Sequence, residues 1–221
     1  MSRLWAGVLV LLLAAAAGCS NDKAGSAPVG ALVEAAGRGD ENDVRDLLDR
    51  GADANDVDAT GRTAVTAAVY AGSAAVVRLL VDAGADVDHQ DESRANAFLA
   101  LGETGDVEVL DEVLRADPDV RRTNRFGGTA LIPAADRGHV AMVRALLERT
   151  KVDVDHVNDL GWTALLEAVI LGDGGPAHRE IVHLLLEHGA DRTIADPNGL
   201  TPLEHARRSN YAEIVAMLER R

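Results

Sequence analysis

Gly61-Arg62-Thr63-Ala64-Val65-Thr66-Ala67-Ala68 opens a stretch that runs on to Gly84-Ala85-Asp86-Val87-Asp88, and its landmarks return along the chain. The turn Asp58-Ala-Thr-Gly61 in front of it has counterparts at Asp91-Glu-Ser-Arg94, Asn124-Arg-Phe-Gly127, Asn158-Asp-Leu-Gly161 and Asp196-Pro-Asn-Gly199. These openers are 33, 33, 34 and 38 residues apart. The closing phrase also recurs, as Gly51-Ala52-Asp53-Ala54, Asp117-Pro118-Asp119-Val120 and Gly189-Ala190-Asp191-Arg192, while Val152-Asp153-Val154-Asp155 keeps the acid without the glycine. A period of this length marks an array of small units, each of which buries its apolar face only against its neighbours.

Each unit reads the same way. After the turn, Thr63, Thr129, Thr163 or Thr201 places a hydroxyl where it can accept from the first free N–H groups of a short helix. Pro202 follows Thr201 at a position that needs no donor. Ala67-Ala68, Ala134-Ala135 and Ala206 give a small face that allows close helix approach, and Gly72, Gly105, Gly138 or Gly172 ends the helix. A second helix carries Val76, Val77, Leu79 and Leu80, then Met142, Val143, Leu146 and Leu147, then Ile181, Val182, Leu184, Leu185 and Leu186, all at helical spacing. Gly51, Gly84 or Gly189 closes it with a left-handed cap.

These landmarks resemble the ankyrin repeat position by position, and Thr201-Pro202-Leu203-Glu204-His205-Ala206 is nearest to that family's TPLH tetrapeptide. The resemblance implies an all-α solenoid of about six helix-turn-helix units with β-hairpin-like fingers, over residues 31–221. The unit boundaries fall near 31–57, 58–90, 91–123, 124–157, 158–195 and 196–221. The family's His is replaced by Thr66, Leu99, Ile132, Leu166 and Glu204, so its Thr–His brace should be absent. The third unit, with Arg94 for Gly and Asn96 for Thr, is the least regular. Asp43 and Asp46 stand where interior units are apolar, and Arg207, Arg208, Asn210 and Glu213 dilute the last unit, as polar end caps require.

Residues 1–18 are a different polymer. Met1-Ser2-Arg3 is a positive lead, Leu4 to Leu13 an apolar core, and Ala14-Ala15-Ala16-Ala17-Gly18 a run of small residues, the pattern of an export signal. Ala16-Ala17-Gly18-Cys19 resembles a bacterial lipobox, which implies cleavage before Cys19 and acylation there. Two or more acyl chains suffice for stable anchoring. Residues 19–30 are polar and small, a tether. The expected location is therefore a membrane-anchored, exported lipoprotein on the periplasmic or extracellular face, in contact with the membrane only through the lipid on Cys19. Cys19 is the only cysteine, which excludes a disulfide framework and a thiolate metal site.

Apolar residues make up 47% of the chain and aromatics only 3%, so the core is built from Ala, Leu and Val. The formal charge is −14. A surface of that sign repels phosphate backbones, and nucleic acid is not an expected partner. His178, His183 and His188 are spaced by five, which turns a helix by about 500° and scatters the rings, so they read as solvated surface. The run Gly172-Asp173-Gly174-Gly175-Pro176 lacks the Lys and Ser/Thr of a phosphate loop and reads as a lengthened surface turn, a five-residue insertion in the fifth unit. The acids are spread evenly and read as a solvated face. No catalytic, metal or cofactor constellation emerges, and the chain is expected to be a non-enzymatic, monomeric binder of another protein.

By family resemblance, the partner lies along the concave surface made by the fingers and the inner helices. There Arg121, Arg122, Arg125 and Phe126 form a basic cluster with an aromatic, the residue types that anchor interfaces. The alternative is that the arginines pair with surface acids. His156, Val157, Leu160 and Trp162 lie on the neighbouring finger, and Tyr70, Glu103, Asp136 and Ile170 form an inner-helix stripe. Two roles use this one surface: scaffolding or protecting a partner at the membrane, or, as an immunity-type inhibitor, blocking a secreted toxin.

Overall fold

The computed structural model describes residues 30–220. The expected leader, Cys19 and all of the tether except Gly30 lie outside the described residues. Those described form twelve helices: α1 Ala31–Gly37, α2 Glu41–Asp49, α3 Ala64–Tyr70, α4 Ala74–Asp82, α5 Ala97–Thr104, α6 Val107–Leu114, α7 Leu131–Asp136, α8 Val140–Arg149, α9 Ala164–Ile170, α10 Pro176–Glu187, α11 Pro202–Arg208 and α12 Ala212–Glu219. None is long and apolar enough to cross a membrane.

Helices of six to twelve residues do not persist alone in water, so packing must hold them. Odd-numbered helices stack in an inner row, α1 on α3, α3 on α5 and so on to α11, and even-numbered helices stack in an outer row from α2 to α12. One continuous core lies between the rows. Ala67, Ala68, Ala100, Ala134, Ala135 and Ala168 are almost fully buried, and Val76, Val77, Leu80, Met142, Leu146, Ile181 and Leu185 close over them from the outer row. Alanine at the contacts brings backbones together with little side-chain entropy to lose.

The helix starts follow the sequence closely, with one exception. Thr63 accepts from Thr66 N, Asn96 from Leu99 N at 2.8 Å, Thr163 from Leu166 N at 3.2 Å, and Thr201 from Glu204 N. Other side chains stand in for the missing Thr–His brace. The Thr63 hydroxyl meets that of Thr66 at 3.1 Å, and Glu204 Oε2 accepts from Thr201 N and Oγ1 at 2.7 and 2.8 Å. Thr129 departs from the expected cap: its Oγ1 is buried without a partner. Pro133 is the cause. It has no N–H to give to the Thr129 carbonyl, which instead takes the Ile132 N–H at 3.2 Å in a tighter turn.

The fingers are hydrogen-bonded turns rather than β-hairpins. Among the described residues there is no strand, only an isolated bridge between Val57 and Thr63. In each turn one acid or amide side chain accepts two backbone N–H groups. Asp58 takes those of Thr60 and Arg62, Asp91 those of Ser93 and Ala95, and Asn124 those of Phe126 and Gly128. Asn158 takes those of Leu160 and Trp162, and Asp196 those of Asn198 and Leu200. This closure is local, which is why no ladder is needed. The irregular third unit keeps the geometry: Arg94 adopts φ 60, close to Gly61 at φ 75, and donates to Thr123 Oγ1 at 3.0 Å.

Of the three histidines expected on the solvated surface, His183 and His188 are exposed and His178 is largely covered, while other histidines tie one repeat to the next. Nε2 of His89 faces the Gly61 carbonyl at 3.1 Å, that of His139 the Glu103 carbonyl at 3.1 Å, and that of His156 the Gly127 carbonyl at 2.6 Å. A carbonyl only accepts, so each of these nitrogens carries the proton. The insertion in the fifth unit is more than a longer surface turn. It extends α10 to twelve residues, and His178 ties it to the Asp136 carbonyl at 2.9 Å. Gly172 accordingly does not take the left-handed turn expected of it; Gly174 does, at φ 66.

Most outer-row arginines pair across repeats: Arg78 with Glu112, Arg115 with Asp82, Arg144 with Glu180, Arg149 with Asp111 and Arg179 with Glu213. Exposed pairs of this kind contribute little singly. Glu112 differs, since it is buried and forked between Arg78 at 2.6 Å and Arg115 at 2.9 Å. Hydrogen bonding from Arg78 and then from Arg115 outweighs its desolvation and holds its carboxyl below the usual range. At the N-terminal end Asp43 and Asp46 pair with Arg38 and Arg50, and only Val44 of α2 is buried.

Candidate functional site

The inner row leaves a groove between itself and the fingers, and two hollows in it are built from the same few units. The smaller, about 180 Å³, is lined by Tyr70, Ser93, Ala95, Glu103, Asn124, Arg125 and Phe126. The second, about 230 Å³, is lined by Glu103, Phe126, Ile132, Pro133, Asp136, Arg137, Asn158, Leu160 and Glu167, with Asn124 and Gly128 at its edge. Phe126 belongs to both. Its ring and the Leu160 side chain are each 52% exposed, an unusual placement for large apolar groups on a strongly acidic chain. The turns that carry them are fixed by Asn124 and Asn158, so the lips of the groove are preorganised.

The expected anchor residues divide. Tyr70, Arg125 and Phe126 come together, with the Arg125 guanidinium 4.8 Å from the Phe126 ring centre. Burial, with the Glu103 and Asp91 carboxylates adding to it, pushes the Tyr70 phenol up to about 12. Arg121 and Arg122 do not join them: both turn to Asp119, at 3.0 and 3.8 Å. Arg121 instead lines a separate hollow of about 710 Å³ near the C-terminal ends of α6 and α8. The basic cluster legible in the sequence is thus broken by a local acid. Trp162 and Ile170 are half-buried and line neither groove hollow.

The sequence reading passed over Glu167. It is 7% exposed, on the inner face of α9, and so contradicts the expectation that the acids form a solvated face; Glu112 and Asp196 are buried likewise. Its Oε1 accepts from Asn158 Nδ2 at 2.8 Å. Burial, and after it the Asp136 carboxylate, pushes its carboxyl up to about 7, with the Asn158 bond opposing. The signal was present: Glu167 stands where two earlier units have Ala67 and Ala100, four residues past the helix cap. In the last unit that position is His205, and its finger partner is Asp196, 3.0 Å away.

The raised value has a consequence for stability. Because folding lifts the Glu167 pKa from 4.5 to about 7, the folded state holds the proton more tightly. Stability is therefore unaffected by this group below pH 4.5 and falls as pH rises toward 7, with the full penalty above it. Glu167→Gln keeps an acceptor for Asn158 and removes the charge. Allowing for solvent screening, it should stabilise the fold by about 1–2 kcal/mol at alkaline pH. The gain should vanish near pH 4.5. Urea denaturation at both pH values reads this directly, and equal stabilities at alkaline pH would mean that the carboxyl ionises freely.

Among the described residues no group of three or more His, Cys, Asp or Glu side chains is placed to hold a metal ion. What the groove offers is shape, exposed apolar surface and placed charge, the means of binding.

The comparisons agree. The family described as ankyrin repeats (3 copies) matches residues 6–92, 97–196 and 152–220. An ankyrin repeat domain from Acinetobacter baumannii AYE superposes with TM-score 0.81 at 43% identity, covering 86% of this chain and 96% of that one. The ankyrin repeat domain of Bcl-3, a member of the IkappaB protein family, does so with TM-score 0.75 at 27% identity, over 85% of this chain and 84% of that one. YahD of Escherichia coli (strain K12) is 48% identical over 86 residues, which is 39% of this chain and 43% of YahD, so the match spans less than half of that relative. The fold, the recurring capped helices and these likenesses together place the chain in the ankyrin repeat family, whose members typically serve as modules for binding other proteins.

Proposed function

We propose that this protein is a non-enzymatic binding module of six ankyrin repeats, exported and anchored by a lipid on Cys19, that holds a partner protein in its inner groove and scaffolds or protects it at the membrane. The observation that carries the binding role is the pair of exposed lips, Phe126 and Leu160, over a hollow that none of the described residues fills. Large side chains exposed on rigid turns beside a cavity are the material of interface hot spots. The anchoring role rests on Ala16-Ala17-Gly18-Cys19 after an apolar leader. An inhibitor of a secreted toxin would use the same groove and is distinguished by what is captured.

The test uses the full chain with its leader, expressed in a bacterium and used as bait in affinity capture from membranes, with the bound protein identified by mass spectrometry. Phe126→Ala with Leu160→Ala should lower recovery at least about tenfold. The circular dichroism should be unchanged. Cys19→Ala should move the protein from the membrane fraction to the soluble one. Undiminished recovery by the double variant would overturn the groove as the binding surface, and an unchanged membrane fraction for Cys19→Ala would overturn the anchor.

A further inference from the structure

The hollow under Phe126 and Leu160 is small and lined by both apolar and acidic side chains. Its volume of about 230 Å³ lies below the range of cavities that enclose small-molecule ligands. One side chain is the natural occupant. Phe126, Leu160, Ile132 and Pro133 offer apolar lining that suits an aliphatic stem, and Glu103, Asp136 and Glu167 add three carboxylates to the same lining. Arg137 is the one cation in the lining, and it is turned to Glu103, 3.4 Å from its carbonyl and 3.8 Å from its carboxylate. Among the described residues, Asp136 and Glu167 are left without a counter-cation in the hollow.

Glu167 is the group that points to a ligand. It is more than nine-tenths buried, and Asn158 holds one of its oxygens. Its Oε2 has no hydrogen-bond partner among the described residues and is not sealed in the core either, since the carboxyl lines the hollow. The groups on neighbouring elements are committed elsewhere: His178 of α10 faces the Asp136 carbonyl and Asp173, and His205 of α11 faces Asp196. Burying a carboxyl beside another with nothing to balance it costs stability. An incoming cation would relieve that cost.

The geometry points to this hollow as a socket for a basic side chain of the partner, an arginine or lysine, whose stem lies between Phe126 and Leu160 and whose charged head meets Glu167 Oε2 and Asp136. This deepens the groove-binding reading and rests on it. Binding then draws a proton off Glu167, so affinity rises with pH through neutrality and levels off above it. The partner would present a protruding basic residue to an acidic chain, which also favours encounter.

The probe is N-acetyl-arginine methylamide titrated into the full chain, following the Glu167 carboxyl carbon by NMR. N-acetyl-norleucine methylamide, which has the stem without the charge, is the control. The arginine derivative should move the Glu167 titration midpoint to lower pH and the norleucine one should not. Glu167→Gln should weaken arginine binding about tenfold at alkaline pH. Asp136→Asn should weaken it at every pH. Equal response to both probes, or unchanged affinity in Glu167→Gln, would overturn the basic socket. Partner capture separates the two ideas: loss with the Phe126 and Leu160 variants but not with Glu167→Gln leaves the groove standing and removes the socket, whereas no loss with either removes the groove.

Discussion

Replacing Phe98 with alanine should cost about 3–5 kcal/mol and divide the unfolding of the array into two steps. Phe98 is fully buried in α5, and α5 packs between α3 and α7. Its counterparts two residues past the cap are Val65, Leu131 and Leu165, so the third unit fills that site with the largest side chain of the series. A cavity there opens inside the continuous core, between helices that are already packed on both sides. In a one-dimensional array, a weak unit in the middle isolates the units on either side. Urea unfolding followed by circular dichroism should lose its single transition, while fluorescence of Trp162, beyond the break, should keep one. Phe98→Leu restores the side chain found at the same place in the next two units, and it should cost less than about 1.5 kcal/mol. A loss below about 1 kcal/mol for Phe98→Ala would mean that the site collapses and α5 is not the keystone. Function should follow stability, since Glu103 on α5 and Glu167 on α9 line one hollow across that break.

The architecture was readable because its signals repeat. Thr63, Thr163 and Thr201 each cap as expected, and five turns with Asp or Asn at the first position each close on that side chain. Repetition averages out local exceptions. The groove was less readable because its chemistry depends on which charge meets which. Arg121 and Arg125 are four residues apart and look alike in sequence, yet one is held by Asp119 and the other stacks on Phe126. Charge spread evenly along a chain says nothing of burial: Glu112 and Glu167 both lie inside, one forked between two arginines and the other facing a second acid. Glu167 was visible only against Ala67 and Ala100 at the same place in two earlier units, a place defined by aligning the units on their caps. His178 alone departs from the solvated placement that His183 and His188 keep, since spacing along one helix carries no information about a carbonyl on the preceding repeat.

Gly102→Ala is expected to destabilise the fold by about 2–3 kcal/mol, although alanine is the better helix former by about 1 kcal/mol. A methyl group built on Gly102 would lie 2.1 Å from the Ala130 carbonyl oxygen and 2.9 Å from its carbon. Both obstacles are backbone and cannot rotate away. The equivalent positions in neighbouring units are Val69, Ala135 and Val169, so the need for glycine is particular to this junction. Pro133 accounts for it. Lacking an N–H, it tightens the first turn of α7, leaves Thr129 Oγ1 without a partner and stretches the Ala134-to-Ala130 bond to 3.4 Å, with the Ala130 carbonyl lying against α5. The two residues should therefore be coupled. Pro133→Ala restores the missing donor and should recover at least about 1 kcal/mol of the loss in the double variant, a non-additivity that a double-mutant cycle measures. Gly37→Ala is the control, because a methyl group there meets Ala67 Cβ at an ordinary 3.8 Å and should be neutral or mildly stabilising. Strict additivity of Gly102→Ala and Pro133→Ala would break the link between the proline and the close approach. It would also leave the shape of the groove floor, where Pro133 is one wall, without a cause in the packing of α5 on α7.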